Sequence, residues 1–203
     1  GKIIAISNHK GGVGKTTSAL NIGAGLSKLK KKVLLIDLDP QANLTQSLGI
    51  KEPENNIYGV IKNIYAPELI KINKNLFLIP SVSELSGAEL ELSAEAGREF
   101  LLKEVIEPLS SNYDFIVIDC PPSLGLLTIN AFTASDFILI PMQAEYLALQ
   151  GIGKLLGLMD KIKKRLNTRL EIGGIFITQF DKRKVLNRYV CDTIEEHFKG
   201  KLQ

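Results

Sequence analysis

Cysteine is scarce. Cys120 and Cys191 are the only two in 203 residues, too few and too far apart for a disulfide framework or a zinc site. A reducing, cytoplasmic setting is the expectation. Long apolar runs are missing as well. None approaches the ~20 residues that a membrane-spanning helix needs. The first, Ile3–Ile6, is too short for a signal peptide and runs straight into a glycine-rich loop. Neither sign of charge dominates: a formal net charge of +3 does not by itself mark a nucleic-acid binder. Repeats, low-complexity segments and linkers are also lacking. The remaining composition, 45% apolar and 23% charged, is that of a folded soluble domain. A single domain over residues 1–203 is therefore expected. Gly1 reads as a cloning remnant or as a stand-in for an initiator methionine. The stretch Lys199–Gln203 reads as a chain entering its next element, so a longer natural protein is expected.

Short, β-branched apolar runs recur at Ile3–Ile6, Val33–Ile36, Leu76–Ile79, Phe115–Ile118, Phe137–Ile140 and Gly174–Ile177. Each is nearly continuous, the pattern of a strand covered on both faces. Helical stretches are predicted between them at Thr16–Leu29, Gly97–Leu109, Gln143–Leu166 and Leu186–Phe198, the last two with basic outer faces. Glu52–Asn56 and Pro67–Lys74 read as surface loops. This alternation predicts an α/β fold: a mostly parallel, twisted sheet with helices on both faces. Such sheets bind ligands at the C-terminal ends of their strands, near a topological switch point.

The first strand leads into Ser7-Asn8-His9-Lys10-Gly11-Gly12-Val13-Gly14-Lys15-Thr16-Thr17, after which a helix is predicted. That context is what a phosphate-binding P-loop requires. Gly11, Gly12 and Gly14 let the backbone curl so that successive N–H groups, Val13 among them, converge on one anion. The helix beginning near Lys15 adds the positive end of its dipole. Lys15 can reach β- and γ-phosphates, and the Thr16 hydroxyl can ligate Mg²⁺. A flexible glycine turn would account for the glycines but not for Gly-Lys-Thr-Thr directly after a buried strand.

Two more strands end in carboxylates: Val33–Ile36 in Asp37-Leu38-Asp39-Pro40, and Phe115–Ile118 in Asp119-Cys120-Pro121-Pro122. A carboxylate at the tip of a buried strand is costly unless a cation meets it. Asp119 is placed as the Walker B residue that holds Mg²⁺. Asp37 is a second acidic tip, with bracing of the adjoining loop as its alternative role. Asp39 lies past the strand end. Cys120 reads as packing.

The ordinary P-loop opens on a glycine where this chain has His9, followed by Lys10. A lysine inside the loop marks the deviant Walker A class, and the sequence resembles the ParA/MinD family over almost its whole length. That resemblance implies several things. The lysine at Lys10 reaches across an ATP-dependent homodimer to the other subunit's nucleotide. Asp39 orients the attacking water, as positioning chemistry needs, and Lys10, Lys15 and Asp39 form the catalytic set. Pro121-Pro122, with Asp37, forms the switch that senses the γ-phosphate. His9 is a loop filler. The related iron–sulfur reductases need cluster cysteines that this chain does not have.

Gly174–Ile177 leads into Thr178-Gln179-Phe180-Asp181. Guanine readers carry Asn/Thr-Lys-x-Asp at this place, so Gln179 instead of Lys favours adenine and puts Gln179 in the nucleotide-binding set. Lys182-Arg183-Lys184 and Arg188 follow. In the partitioning branch an arginine at Arg183 contributes to non-specific binding of double-stranded DNA, and clustered Lys/Arg suit phosphate contacts without base readout. Lys28–Lys32 and Lys161–Arg165 read as solvated faces. The strings Asp39–Thr45, Ile79-Pro80-Ser81, Pro121–Ala131 and Pro141–Leu149 resemble the partitioning branch. The short stretch before the P-loop strand leaves no expectation of a fused helix-turn-helix domain. The implied function is a Mg-ATP-dependent dimerising ATPase switch, nucleoid-associated, stimulated by a ParB-like centromere-binding partner, with no membrane association. The alternative is a membrane- or cargo-positioning ATPase of the MinD-like branch.

Overall fold

The computed structural model describes residues 1–198, apart from the side chains of residues 146–151, 186 and 197. The strands are β1 (Lys2–Ile6), β2 (Val33–Asp37), β3 (Ile70–Lys71), β4 (Leu76–Ile79), β5 (Phe115–Asp119), β6 (Phe137–Gln143) and β7 (Glu171–Thr178). Among the described residues they form one seven-stranded sheet in the order β3-β4-β2-β5-β1-β6-β7. Only the two-residue edge strand β3 runs antiparallel to its neighbour. The helices are α1 (Lys15–Lys28), α2 (Asn43–Ser47), α3 (Ile57–Ile61), α4 (Leu85–Glu91), α5 (Leu101–Ile106), α6 (Leu126–Ala134), α7 (Tyr146–Arg165) and α8 (Val185–Phe198).

The continuous apolar runs are explained by burial on both faces. In β2, Leu34 and Ile36 join the larger core cluster, while Val33 and Leu35 face the smaller cluster under α1. In β5, Ile116 and Ile118 point one way and Val117 the other. Successive side chains of a strand alternate between faces, so a strand covered on both sides must be apolar at every position. Close packing of α1 depends on Gly23: a Cβ there would come within 2.6 Å of Leu35 Cδ2.

Several elements differ from the sequence reading. The helix predicted over Gly97–Leu109 is shorter, starting at Leu101 after Gly97 at φ +73°. It passes into a 3₁₀ turn over Glu107–Asn112, because Pro108 has no N–H to continue α-type bonding. Gln143 belongs to β6 and not to the helix after it, which begins at Tyr146. Within the stretch read as a loop at Pro67–Lys74, Ile70–Lys71 pairs with β4. The helix α6 was not visible in the sequence because it is buried nearly all round, with Leu127, Thr128, Asn130, Ala131, Phe132, Thr133 and Ala134 all inside. A helix with no solvated face shows no 3.6-residue polarity pattern.

Register places the site. Asp119 at the tip of β5 is level with Ile6 at the end of β1 on one side and with Asp37 at the end of β2 on the other. Asp37, Asp119 and the chain leaving β1 thus meet at one edge of the sheet, between strands whose connections run to opposite sides.

Candidate nucleotide site

The loop between β1 and α1 turns on two left-handed glycines, Gly12 at φ +75° and Gly14 at φ +90°. Gly14 is also the N-cap of α1, so the helix starts directly at Lys15 and its first amides face the loop. A side chain at either glycine would be strained, which is why these positions take no other residue cheaply. The loop is fastened to neighbouring strand ends by side chains. Asn8 Nδ2 donates to the Pro141 carbonyl at 2.8 Å. Thr178 Oγ1 lies 2.8 Å from the Val13 carbonyl and 3.2 Å from that of Met142. Gln143 Nε2 donates to the Gly12 carbonyl at 3.2 Å.

Lys15 is buried, with its Nζ donating to the Lys10 carbonyl at 3.1 Å. Burial pulls its pKa down, while the nearby Asp119 and Asp39 carboxylates pull it up. His9 is also held below its ordinary pKa, first by burial and then by the positive charges of Lys154, Lys15 and Lys10. Its Nδ1 is buried without a hydrogen-bond partner, in keeping with a structural filler. Lys10 points to the end of β6, where its Nζ meets Glu145 Oε2 at 2.6 Å and Gln143 Oε1 at 3.2 Å. In this conformation the surplus lysine is engaged by its own subunit.

The three carboxylates differ sharply. Asp119 is fully buried, and no donor stands at full hydrogen-bonding geometry to either oxygen, the Thr16 hydroxyl beside it being close enough only to pull on its pKa. Burial pushes its pKa up to about 8, the negative charges of Asp37 and Asp39 push the same way, and the adjacent Thr16 hydroxyl and Lys15 pull back. A buried carboxylate left short of donors is costly and fits one compensating group, a cation. Thr16 beside it completes the oxygen pair that a hard, Mg²⁺-like ion takes from a protein in a phosphate site. Asp37 is fully buried too but well bonded. Its Oδ1 accepts from Asp39 N at 3.2 Å, and its Oδ2 accepts from Thr45 N at 2.9 Å and Thr45 Oγ1 at 2.7 Å. Desolvation raises its pKa to about 6, against the pull of those donors. This is the geometry of a brace. Asp39 is nearly buried beyond the strand end, its Oδ1 accepting from Gln41 N at 2.9 Å.

Cys120 is fully buried and its thiol is pushed far up by desolvation, which makes it packing. Pro121 is buried and Pro122 exposed directly after Asp119. Gln179 leaves β7 in the left-handed region at φ +54° and is exposed. The basic residues lie beyond it: Lys182, Arg183, Lys184 and Arg188 are all exposed. Arg183 is not free, for its Nε and Nη2 pair with Asp181 Oδ1 and Oδ2 at 3.0 Å each. The structure thus gathers Lys10 through Thr17 with Asp37, Asp39 and Asp119, while the basic residues follow β7, whose end Thr178 ties to the loop. Sequence reasoning gave no role to Gln143, Glu145, Thr45 or Ser81. Only Gln143 carried a sequence signal, as a polar residue at the end of an apolar strand; Thr45 lies in α2, and Ser81 and Glu145 lie beyond the ends of β4 and β6.

Comparison with known proteins gives a consistent family. A family model described as an AAA domain matches residues 1–172. The chain is 47% identical over its whole length to the sporulation initiation inhibitor protein Soj of Bacillus subtilis strain 168, covering 82% of that protein. It is 44% identical to the chromosome partitioning protein ParA of Myxococcus xanthus, over 98% of this chain and 72% of that one. Among solved structures, cobyrinic acid a,c-diamide synthase of Mycobacterium smegmatis, crystallised with an ATP analogue and magnesium, superposes with TM-score 0.92 at 36% identity. It covers 98% of this chain and 83% of its own.

Proposed function

The chain belongs to the Soj/ParA family of partitioning ATPases, and we propose that it is a Mg-ATP-dependent switch that dimerises on ATP, binds duplex DNA without regard to sequence and hydrolyses ATP to let go. The observation that carries the reading is Asp119: a fully buried carboxylate with no donor at full hydrogen-bonding geometry, beside Thr16 and Lys15 at the mouth of a glycine loop. In this reading Thr16 and Asp119 would hold Mg²⁺, which would supply positive charge against the phosphates. The amides of Gly11 to Thr17 cradle the phosphates, and Lys15 leaves the Lys10 carbonyl to meet them. Asp39 orients the attacking water, positioning being the main protein contribution to phosphoryl transfer. Lys10 serves the nucleotide of a second copy, and Gln179 stands at the base.

Support for the DNA step is the exposed cluster of Lys182, Arg183, Lys184 and Arg188, cations of the kind that contact phosphates without reading bases. Among the described residues no helix is long and apolar enough to cross a membrane. The partner that completes the cycle is a ParB-like centromere-binding protein, with the ATPase resident in the cytoplasm on the nucleoid. One experiment tests the reading: filter binding to two unrelated duplexes, with and without ATP, beside flotation on anionic vesicles. ATP-dependent retention of both duplexes supports it. Flotation without DNA retention replaces it with a MinD-like positioning role.

A further inference from the structure

We propose that Thr45 and Ser81 are positioning residues for Asp39, joined with Asp37 in a closed hydrogen-bonded ring that sets where the Asp39 carboxylate stands. The inference rests on the proposed role of Asp39 in orienting water.

Asp39 lies outside β2, on a loop that the sheet does not fix. Backbone bonds reach the loop at two places: Leu38 N donates to the Asp119 carbonyl, and Ala42 N to that of Asp39, both at 2.9 Å. Side chains hold the loop as well. Asp39 N donates to Asp37 Oδ1 at 3.2 Å, and Asp37 Oδ2 accepts the Thr45 hydroxyl at 2.7 Å. That hydroxyl in turn accepts from Ser81 N at 2.9 Å, and Ser81 Oγ donates to the Asp39 carbonyl at 2.8 Å. The circuit is closed, with relative exposures of 0% for Asp37, 1% for Thr45, 1% for Ser81 and 6% for Asp39.

The inventory of donors explains why these residue types are needed. The Thr45 hydroxyl has one proton, which it gives to Asp37, and a lone pair that takes the Ser81 amide. Valine has nearly the same shape but can do neither, and would leave a buried N–H without a partner. Ser81 follows β4, a strand that carries no nucleotide motif, so the ring holds the Asp39 carbonyl from beyond β4 and its N–H from Asp37 at the tip of β2. Only the carboxylate is left to face the site, steadied by Gln41 N at 2.9 Å. Rigid support around a group whose task is geometry is how such groups act, since a misplacement of about 1 Å can cost on the order of a hundredfold in rate. Two of its members, Thr45 and Ser81, also line an open cleft of about 1270 Å³ beside Pro40, Gln41 and Glu84.

The test measures steady-state ATP turnover and ATP-binding stoichiometry for wild type, Thr45→Val, Thr45→Ser, Ser81→Ala and Asp39→Ala. Thr45→Val should lower kcat by roughly ten- to a hundredfold with KM for ATP moved less than about twofold and full stoichiometry, and Thr45→Ser should restore most of the rate. Ser81→Ala should lose several-fold, and it carries the same test if Thr45→Val does not fold. In an Asp39→Ala background, Thr45→Val and Ser81→Ala should add nothing, whereas a merely structural role would add its loss in full. If Asp39→Ala is inactive while Ser81→Ala and Thr45→Val turn over like wild type, the ring has no positioning role. If Asp39→Ala itself turns over normally, the role assigned to Asp39 is what fails.

Discussion

Replacing Asp119 by Asn should make the nucleotide-free protein more stable at alkaline pH while weakening its response to Mg-ATP. Burial raises the Asp119 pKa from 3.8 to about 8. The sign follows from linkage. A folded-state pKa above the unfolded one means that the folded chain holds the proton more tightly, so this stability is complete below about pH 4 and is lost as pH rises through 8. The whole shift, at about 1.4 kcal/mol per pH unit, sets a ceiling of roughly 6 kcal/mol of stability lost by pH 8. Even half of that would move Tm by about 6–12 °C in a domain of this size. Asn is neutral throughout and carries no such dependence. Melting curves of wild type and Asp119→Asn at pH 5 and pH 9 should therefore show a gap that widens with pH in favour of the variant. Adding Mg-ATP at pH 9 should raise wild type by more than the variant, because the compensation that the variant no longer needs is a cation. Two parallel Tm-against-pH curves would refute the reasoning, since Asp119 would then not be the uncompensated group.

Lys15→Ala should abolish ATP binding, read by calorimetry, because the buried ammonium is the cation nearest Asp119 and Asp39 and no other side chain replaces it on the phosphates. Lys10→Ala should keep ATP affinity and lose the ATP-dependent dimer, followed by light scattering; dimerisation like wild type would remove the cross-subunit role. Asp39→Ala should bind ATP normally and accumulate as the ATP-bound dimer, with hydrolysis down by about two to four powers of ten; normal turnover would sink the assignment. Arg183→Glu should weaken every duplex by a similar factor and lower the slope of log affinity against log salt by about one; unchanged filter binding at two salt concentrations would move the DNA surface elsewhere.

How much of this was legible in the sequence depends on whether a feature is local. The P-loop was legible because its glycines, lysine and threonine are contiguous and follow a buried strand. Asp119 and Asp37 were legible as acidic ends of apolar runs, and register then placed them side by side. The difference between them was not legible. Whether a strand-tip carboxylate is orphaned or braced depends on Thr45, whose amide and hydroxyl come from the next helix, and on Ser81 from a neighbouring strand. The same holds for Lys10, whose partners Gln143 and Glu145 are brought to it by the pairing of β1 with β6. The helix boundaries missed around residue 100 and at Gln143 failed for local reasons, a proline and a strand that runs on past its apolar core.

The contact between Lys10 and Glu145 bears on how a switch of this kind is thrown. Lys10 cannot serve a second subunit's nucleotide while its ammonium sits 2.6 Å from Glu145. That pair is well exposed, at 36% and 53% for the two side chains. Exposed ion pairs contribute about 0–1 kcal/mol, because water screens them and two long side chains must be ordered to form them. Leaving the pair therefore costs too little to keep subunits apart, and forming it is too weak to pull them apart. What can make dimerisation depend on ATP is the larger change across the interface: a γ-phosphate, multiply charged, offered to a lysine that is otherwise merely docked. In the proposed dimer, Glu145 would be the resting place of the Lys10 ammonium within its own subunit, and departure of the cleaved phosphate after hydrolysis would remove the charge that draws Lys10 across.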